Sequence, residues 1–191
     1  MKNRFKGLLL AVVLFSINYV SAQDESEEMK AWMEYMQPGE FHTLLATTEG
    51  NWTTETKFWM YPGSEAQTSE GSASSEMILG GRYLMTKHTG TSFGMPFEGI
   101  GIEAYDNSKE MFQSVWIDNM GSGITFGEGS YDEKEKTITY SLKMMNPETK
   151  QMETYEQVTK LVDDNNRLME MYAGEGDNRF KMMEIKLVRA E

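Results

Sequence analysis

The chain has 191 residues, no cysteine, and 30 acidic against 18 basic residues, for a formal net charge of −12. Without cysteine there is no disulfide, no thiol nucleophile and no thiolate metal ligand. So acidic a chain repels phosphate backbones, and we therefore expect no nucleic-acid partner.

The first 22 residues have the pattern of a secretory signal peptide. Basic residues within positions 1–6 precede an apolar run at 8–20, and V-S-A at 20–22 predicts cleavage before Gln23. The apolar run is too short to cross about 30 Å of hydrocarbon as a helix, and nothing later resembles a membrane span. Cleavage removes three of the 18 basic and none of the 30 acidic residues, which leaves a net charge of −15. We expect an exported protein, periplasmic or secreted, with no membrane attachment after removal of the signal.

The mature chain is predicted to begin with an acidic, partly helical segment, residues 23–37. Met29, Trp32 and Met36 recur at helical spacing in front of Pro38, and a second helical turn is predicted at 40–46. Residues 38–191 are of a length that suits one domain.

After residue 50 the apolar residues recur with a period of two, which predicts strands. The short connectors carry glycine, proline, asparagine and aspartate, the residues of tight turns. Short connectors favour antiparallel pairing, in either a sandwich or an up-and-down barrel, and closure into a barrel removes exposed strand edges. The fold class is therefore all-β, an up-and-down barrel with a short N-terminal helical cap. Ten strands are predicted, at 52–58, 71–79, 83–89, 97–105, 112–118, 124–131, 137–144, 151–161, 167–172 and 180–189.

Several blocks, in order, resemble one bacterial family. They include M-I-L-G-G-R-Y-L at 77–84, G-M-P-F-E-G-I-G at 94–101, W-I-D-N-M at 116–120 and M-E-I-K-L-V-R at 183–189. The chain resembles the family catalogued as domain of unknown function 1579 over about residues 38–190. The resemblance implies a calycin-like, lipocalin-type barrel and carries no established reaction.

Candidate ligand-binding residues are polar or aromatic side chains that share strand parity with apolar neighbours. Asp118 follows Trp116 by two, Glu128 follows Phe126 by two, and Glu170 lies between Leu168 and Tyr172. We expect several of them to converge on one pocket toward one end of the barrel, with the inward arginine paired to a carboxylate. The alternative is that they form structural ion pairs at the rims. The full set is Trp52, Arg82, Trp116, Asp118, Glu128, Glu170 and Arg189.

The predicted function is binding of a small apolar or amphipathic molecule in the barrel cavity. Two alternatives stay open: an enzyme that uses inward carboxylates, with Glu128 and Glu170 as an acid/base pair, or an envelope structural or interaction protein with a filled core. No catalytic residue, metal or cofactor is assigned, because the two histidines lack metal-ligand spacing. A haem-carrying barrel that uses His88 is an alternative by analogy only. Ligand identity and oligomeric state do not follow from the sequence.

Overall fold

The computed structural model describes residues 26–190, in which two helices precede ten strands. The predicted signal peptide and its cleavage point lie outside the described residues. The helices are α1 (Glu27–Met36) and α2 (Glu40–Ala46). The strands are β1 (Gly50–Phe58), β2 (Gln67–Ile78), β3 (Tyr83–Ser92), β4 (Met95–Asp106), β5 (Met111–Asp118), β6 (Thr125–Asp132), β7 (Thr137–Met145), β8 (Met152–Asp163), β9 (Asn166–Ala173) and β10 (Phe180–Arg189).

The strands form a closed barrel in which each strand pairs antiparallel with its neighbours in sequence and β10 closes on β1. This confirms the predicted ten-stranded, antiparallel up-and-down barrel. A closed barrel is compatible with the calycin-like fold that the family resemblance implies. The main difference in boundaries is at β2, which begins at Gln67 instead of residue 71.

The backbones of β2 and β3 approach closely at the cross-strand pair Gly71 and Gly90. A Cβ at Gly71 would lie 2.5 Å from the backbone oxygen of Thr89 and 3.3 Å from the Cα of Gly90. Because a Cβ at Gly71 would clash with the neighbouring backbone, this close approach requires glycine.

One end of the barrel is closed by α2. Leu45 of this helix is 2 % exposed and packs into a cluster of buried strand residues. The Phe41 ring lies 4.4 Å from the ring of Tyr105, centroid to centroid. We call this end the capped end and the opposite end the open mouth. The buried cluster consists of Leu45, Leu84, Phe112, Ile138, Tyr140 and Leu142.

Helix α1 lies outside the barrel and buries none of its residues. It is attached through its C-terminal carbonyls, since Arg82 donates to Met36 O at 2.6 Å and Asn107 donates to Tyr35 O at 3.0 Å. Within residues 26–190, no helix has the length and hydrophobicity needed to cross a membrane.

Candidate functional site: the barrel interior

Between the buried cluster and the open mouth, inward-facing side chains keep accessible surface. Their orientation follows from strand alternation, since each has the same parity as a buried residue of its strand or pairs directly with one. A solidly packed core would bury such side chains almost completely. The barrel's own residues therefore do not fill the interior between the buried cluster and the open mouth. The half-buried inward side chains include Thr56, Thr86, His88, Glu103, Ser114, Trp116, Tyr155, Gln157 and Met171.

Trp116 forms an aromatic shelf on the inner wall because β4 has glycines beneath it. A Cβ at Gly99 would lie 2.4 Å from Cζ2 of the indole, and one at Gly101 would lie 3.4 Å from Cε3. The ring of Phe97 stacks on the indole at 6.3 Å, and the ring of His88 meets it edge-on at 5.4 Å. The missing side chains create the space in which the indole lies flat against the wall.

His88 faces the interior of the barrel from β3, opposite Gly99 of β4. Burial lowers the pKa of the imidazole to about 4, so His88 is neutral at neutral pH. A neutral imidazole offers one hydrogen-bond donor and one acceptor to a ligand.

Glu103 and Tyr140 meet across the interior. The Tyr140 hydroxyl donates to Oε1 of Glu103 at 2.8 Å, and Tyr140 belongs to the buried cluster beneath. Burial raises the pKa of the Glu103 carboxyl, and the Tyr140 hydrogen bond opposes this rise. Among residues 26–190, no group donates to Oε2 of Glu103, and this oxygen is not a buried atom. The free oxygen is therefore presented to the accessible interior.

The inward carboxylates nearer the open mouth accept hydrogen bonds from neighbouring groups. Asp118 accepts from Trp116 Nε1 at 2.6 Å and from the amides of Met120 and Gly121. Glu153 accepts from Asn146 and from the hydroxyl of Tyr155. Asp118 thus fixes both the indole and the turn after β5.

Trp52 and Arg189 lie at the capped end. The Trp52 side chain is 1 % exposed and donates from Nε1 to Thr48 O at 2.9 Å. Arg189 lies over its ring at 4.3 Å and donates to the backbone oxygens of Thr47, Glu49 and Asp164. The prediction of a carboxylate partner for Arg189 is wrong, because backbone carbonyls take its donors.

Glu128 and Glu170 face the outside, which corrects the predicted inward orientation. Glu128 alternates with buried Gly127 and accepts from Lys109 at 2.7 Å, while Glu170 pairs with Lys181 at 2.9 Å. Hydrogen bonds from Lys109 and Gln113 lower the pKa of Glu128, and hydrogen bonds from Lys181 and Tyr172 outweigh burial to lower that of Glu170. A general acid needs a raised pKa, so this pair does not suit acid/base chemistry.

Arg82 is also outside, in the turn between β2 and β3, where it binds the carbonyls of Leu79, Gly80 and Met36. It joins α1 to the barrel and lines no interior surface.

Of the seven candidates, four face inward, but in two separate places. Trp52 and Arg189 are at the capped end, and Trp116 and Asp118 are near the open mouth.

Sequence reasoning did not select Glu103, Tyr140 or the inward position of His88. A signal was present for each: Glu103 shares parity with Tyr105, Tyr140 lies between Ile138 and Leu142, and His88 follows Leu84 by four. Two depressions that are open to solvent, about 890 Å³ beside Thr137 and about 320 Å³ beside Trp59, are not lined by Glu103, His88 or Trp116. Residues 26–190 hold no group of three or more histidines or carboxylates suited to a metal ion.

Comparisons with known proteins identify a family and a fold. A family model described as "Protein of unknown function (DUF1579)" matches residues 37–189. The crystal structure of Rv2717c from M. tuberculosis matches with a TM-score of 0.60 at 13 % identity, covering 81 % of this chain and 100 % of that one. A redesigned beta barrel, b11L5F_LGL, matches with a TM-score of 0.40 at 18 % identity, covering 77 % and 95 %. A search of curated proteins gave no match.

Proposed function

The chain belongs to the DUF1579 family of proteins of unknown function, and we propose that it binds a small amphipathic molecule non-covalently inside the barrel. The accessible surface on inward-facing side chains is the observation that carries this proposal. Concave sites that combine aromatic or apolar surface with a few placed polar groups are typical of small-molecule binding. Export of the protein is part of the proposal, and it is checked by an intact mass that lacks residues 1–22.

The lining has two kinds of surface, which suits an amphipathic ligand. The Trp116 shelf and a group of methionines from β9 and β10, Met169, Met171 and Met183, provide apolar contact. Methionine side chains adapt to irregular shapes, so this wall can accommodate a flexible apolar tail. Glu103 and His88 are among the polar groups that face the same space, together with Ser114 and Gln157.

The enzyme and filled-core alternatives have less support. The proposed acid/base pair lies on the outer face with lowered pKa values. A filled core does not agree with half-buried side chains such as Gln157 and Thr86 on the inner wall. No specific observation favours either alternative over binding.

Nile red, a neutral apolar fluorophore, tests the proposal directly. We expect saturable binding to the purified protein at one equivalent, with increased and blue-shifted emission. Thr56→Phe adds a ring on the inner wall of β1 between Ser69 and Ile185, so it should weaken binding by about tenfold, or 1.4 kcal/mol.

The matched control is Thr53→Phe, which makes the same substitution on the exposed outer face of the same strand. It should leave Nile red affinity unchanged. Equal affinities for both variants, or binding without saturation, would show that the fluorophore binds outside the barrel and would overturn the proposal.

A further inference from the structure

We infer that the ligand is an amphipathic amine whose ammonium group binds the free oxygen of Glu103, while its apolar tail lies along the Trp116 shelf. This inference rests on the proposed function, because it assigns the head group of the molecule bound in the same cavity. It follows from the distribution of charge on the inner wall.

Within residues 26–190, the cationic side chains of the strands do not share the space around Glu103. Within residues 26–190, every strand lysine has outward parity, as the register places each opposite an outward-facing residue. The inward arginines of the strands, Arg167 and Arg189, are at the capped end, where both donate to Thr47 O. His88 carries no charge at neutral pH. The strand lysines are Lys57, Lys87, Lys143, Lys160, Lys181 and Lys186.

Among the inward strand carboxylates of residues 26–190, Glu103 is the one with an oxygen that accepts no hydrogen bond. Its one hydrogen bond comes from Tyr140, whereas Asp118 receives three and Glu153 two. An enclosed carboxylate without a cation is costly, and a bound ammonium group provides both the charge and the missing donor. An anionic head group in the same place would face Glu103 with no compensating cation.

The aromatic lining favours the same ligand class. The indole face of Trp116 and the ring of Tyr155 border the interior, and aromatic faces attract cations. From Glu103 toward the open mouth, β4 continues through Gly101 and Gly99, on which the shelf lies. An apolar tail that starts at the carboxylate therefore runs along the indole toward the mouth.

Competition against Nile red with three ligands that share one tail tests the inference: dodecylammonium, dodecanol and dodecanoate, each below its micelle concentration. Dodecylammonium should displace the fluorophore at a concentration about tenfold lower than dodecanol, and dodecanoate should be the weakest. Glu103→Gln keeps a carbonyl oxygen for Tyr140 but removes the charge, so dodecylammonium and dodecanol should displace Nile red from this variant at similar concentrations.

Glu128→Gln is the control, since it removes one carboxylate from the outer face and should keep the preference. Retention of the preference in Glu103→Gln, or stronger binding of dodecanoate, would overturn the inference. If Nile red binds and the three ligands compete equally, the proposal of binding inside the barrel is retained and the inference about the head group fails. If Nile red itself does not bind, the proposed function and this inference fail together.

Discussion

The Trp116 side chain shows how single residues shape the interior of this barrel. Its indole occupies the space left by Gly99 and Gly101, and Asp118 holds its nitrogen at 2.6 Å. The flat ring leaves room in front of it, where a tryptophan standing away from the wall would fill the interior. Two glycines on one strand therefore set how far the indole projects into the interior of the barrel.

Gly99→Ala is expected to destabilise the protein by about 1–3 kcal/mol. The new Cβ would lie 2.4 Å from Cζ2 and 2.6 Å from Cη2 of Trp116, and the ring cannot move away without losing its bond to Asp118. Urea unfolding measures the loss, and near-ultraviolet circular dichroism reports the shift of the indole. Gly123→Ala, where nothing lies within 4 Å of the added Cβ, should change neither. Equal stability of the two variants would mean that the position of the indole does not depend on the absence of a side chain at Gly99.

The orientation of individual side chains could be predicted only where apolar residues lie on one face of a strand. On β6 the inward positions are Thr125, Gly127, Gly129 and Tyr131. Phe126 is exposed, so assigning Glu128 the same face as Phe126 does not place it inside the barrel. On β9 both faces carry apolar residues, and Glu170 falls among the outward ones. The register across the barrel, which a single strand does not contain, decides these cases.

At the scale of elements, the two helices differ in what they do for the barrel. Helix α2 closes one end with Leu45, and His42 Nδ1 accepts from the amide of Gly39 at 3.0 Å at the start of the helix. Helix α1 contributes exposed apolar side chains and two hydrogen bonds from the barrel to its carbonyls. The spacing of apolar residues predicted both helices, but only packing distinguishes the one that is part of the core.

A chain that begins at Gln37, without α1, should keep the barrel and lose at most about 1 kcal/mol of stability. The reason is that α1 buries no side chain. Circular dichroism and urea unfolding compare it with the chain that begins at Gln23. Leu45→Ala is the contrasting variant. It removes most of a buried side chain in α2 and should lower the free energy of unfolding by about 2–5 kcal/mol. A larger loss from the truncation than from Leu45→Ala would show that α1 belongs to the folded core.

The strands and their order were predictable because turn residues and period-two alternation are local features of the sequence. Closure of β10 onto β1 was predicted from the cost of exposed edges, and the pairing of Trp52 with Arg189 confirms it. The interior site was less predictable. The contact between Glu103 and Tyr140 joins β4 to β7, 37 residues apart, and arises only when the barrel closes.

For the molecule as a whole, the two histidines determine how stability changes in mild acid. His42 is also buried, and burial with nearby Arg82 lowers its pKa. Carboxylates with lowered pKa values, such as Glu128 and Glu170, contribute stability that is lost only below their unfolded value of about 4.5. Between pH 4.5 and 6.5, proton uptake on unfolding therefore comes mainly from the histidines. Glu103, with a raised pKa, acts in the opposite direction.

The free energy of unfolding should therefore fall as the pH drops from 7 to 5, because the histidines bind protons in the unfolded chain but stay neutral in the folded protein. For His88 the folded pKa of about 4 lies below the ordinary value of 6.5, so its contribution is complete above pH 6.5 and lost as the pH falls toward 4. Over the range from pH 7 to 5 this amounts to about 2 kcal/mol. Urea unfolding at intervals of half a pH unit measures the slope. His88→Gln removes the titrating group and should flatten most of it, while the smaller part due to His42 remains. An unchanged slope in His88→Gln would show that His88 is solvated, and that water enters the open mouth of the barrel more freely than the lowered pKa of His88 implies.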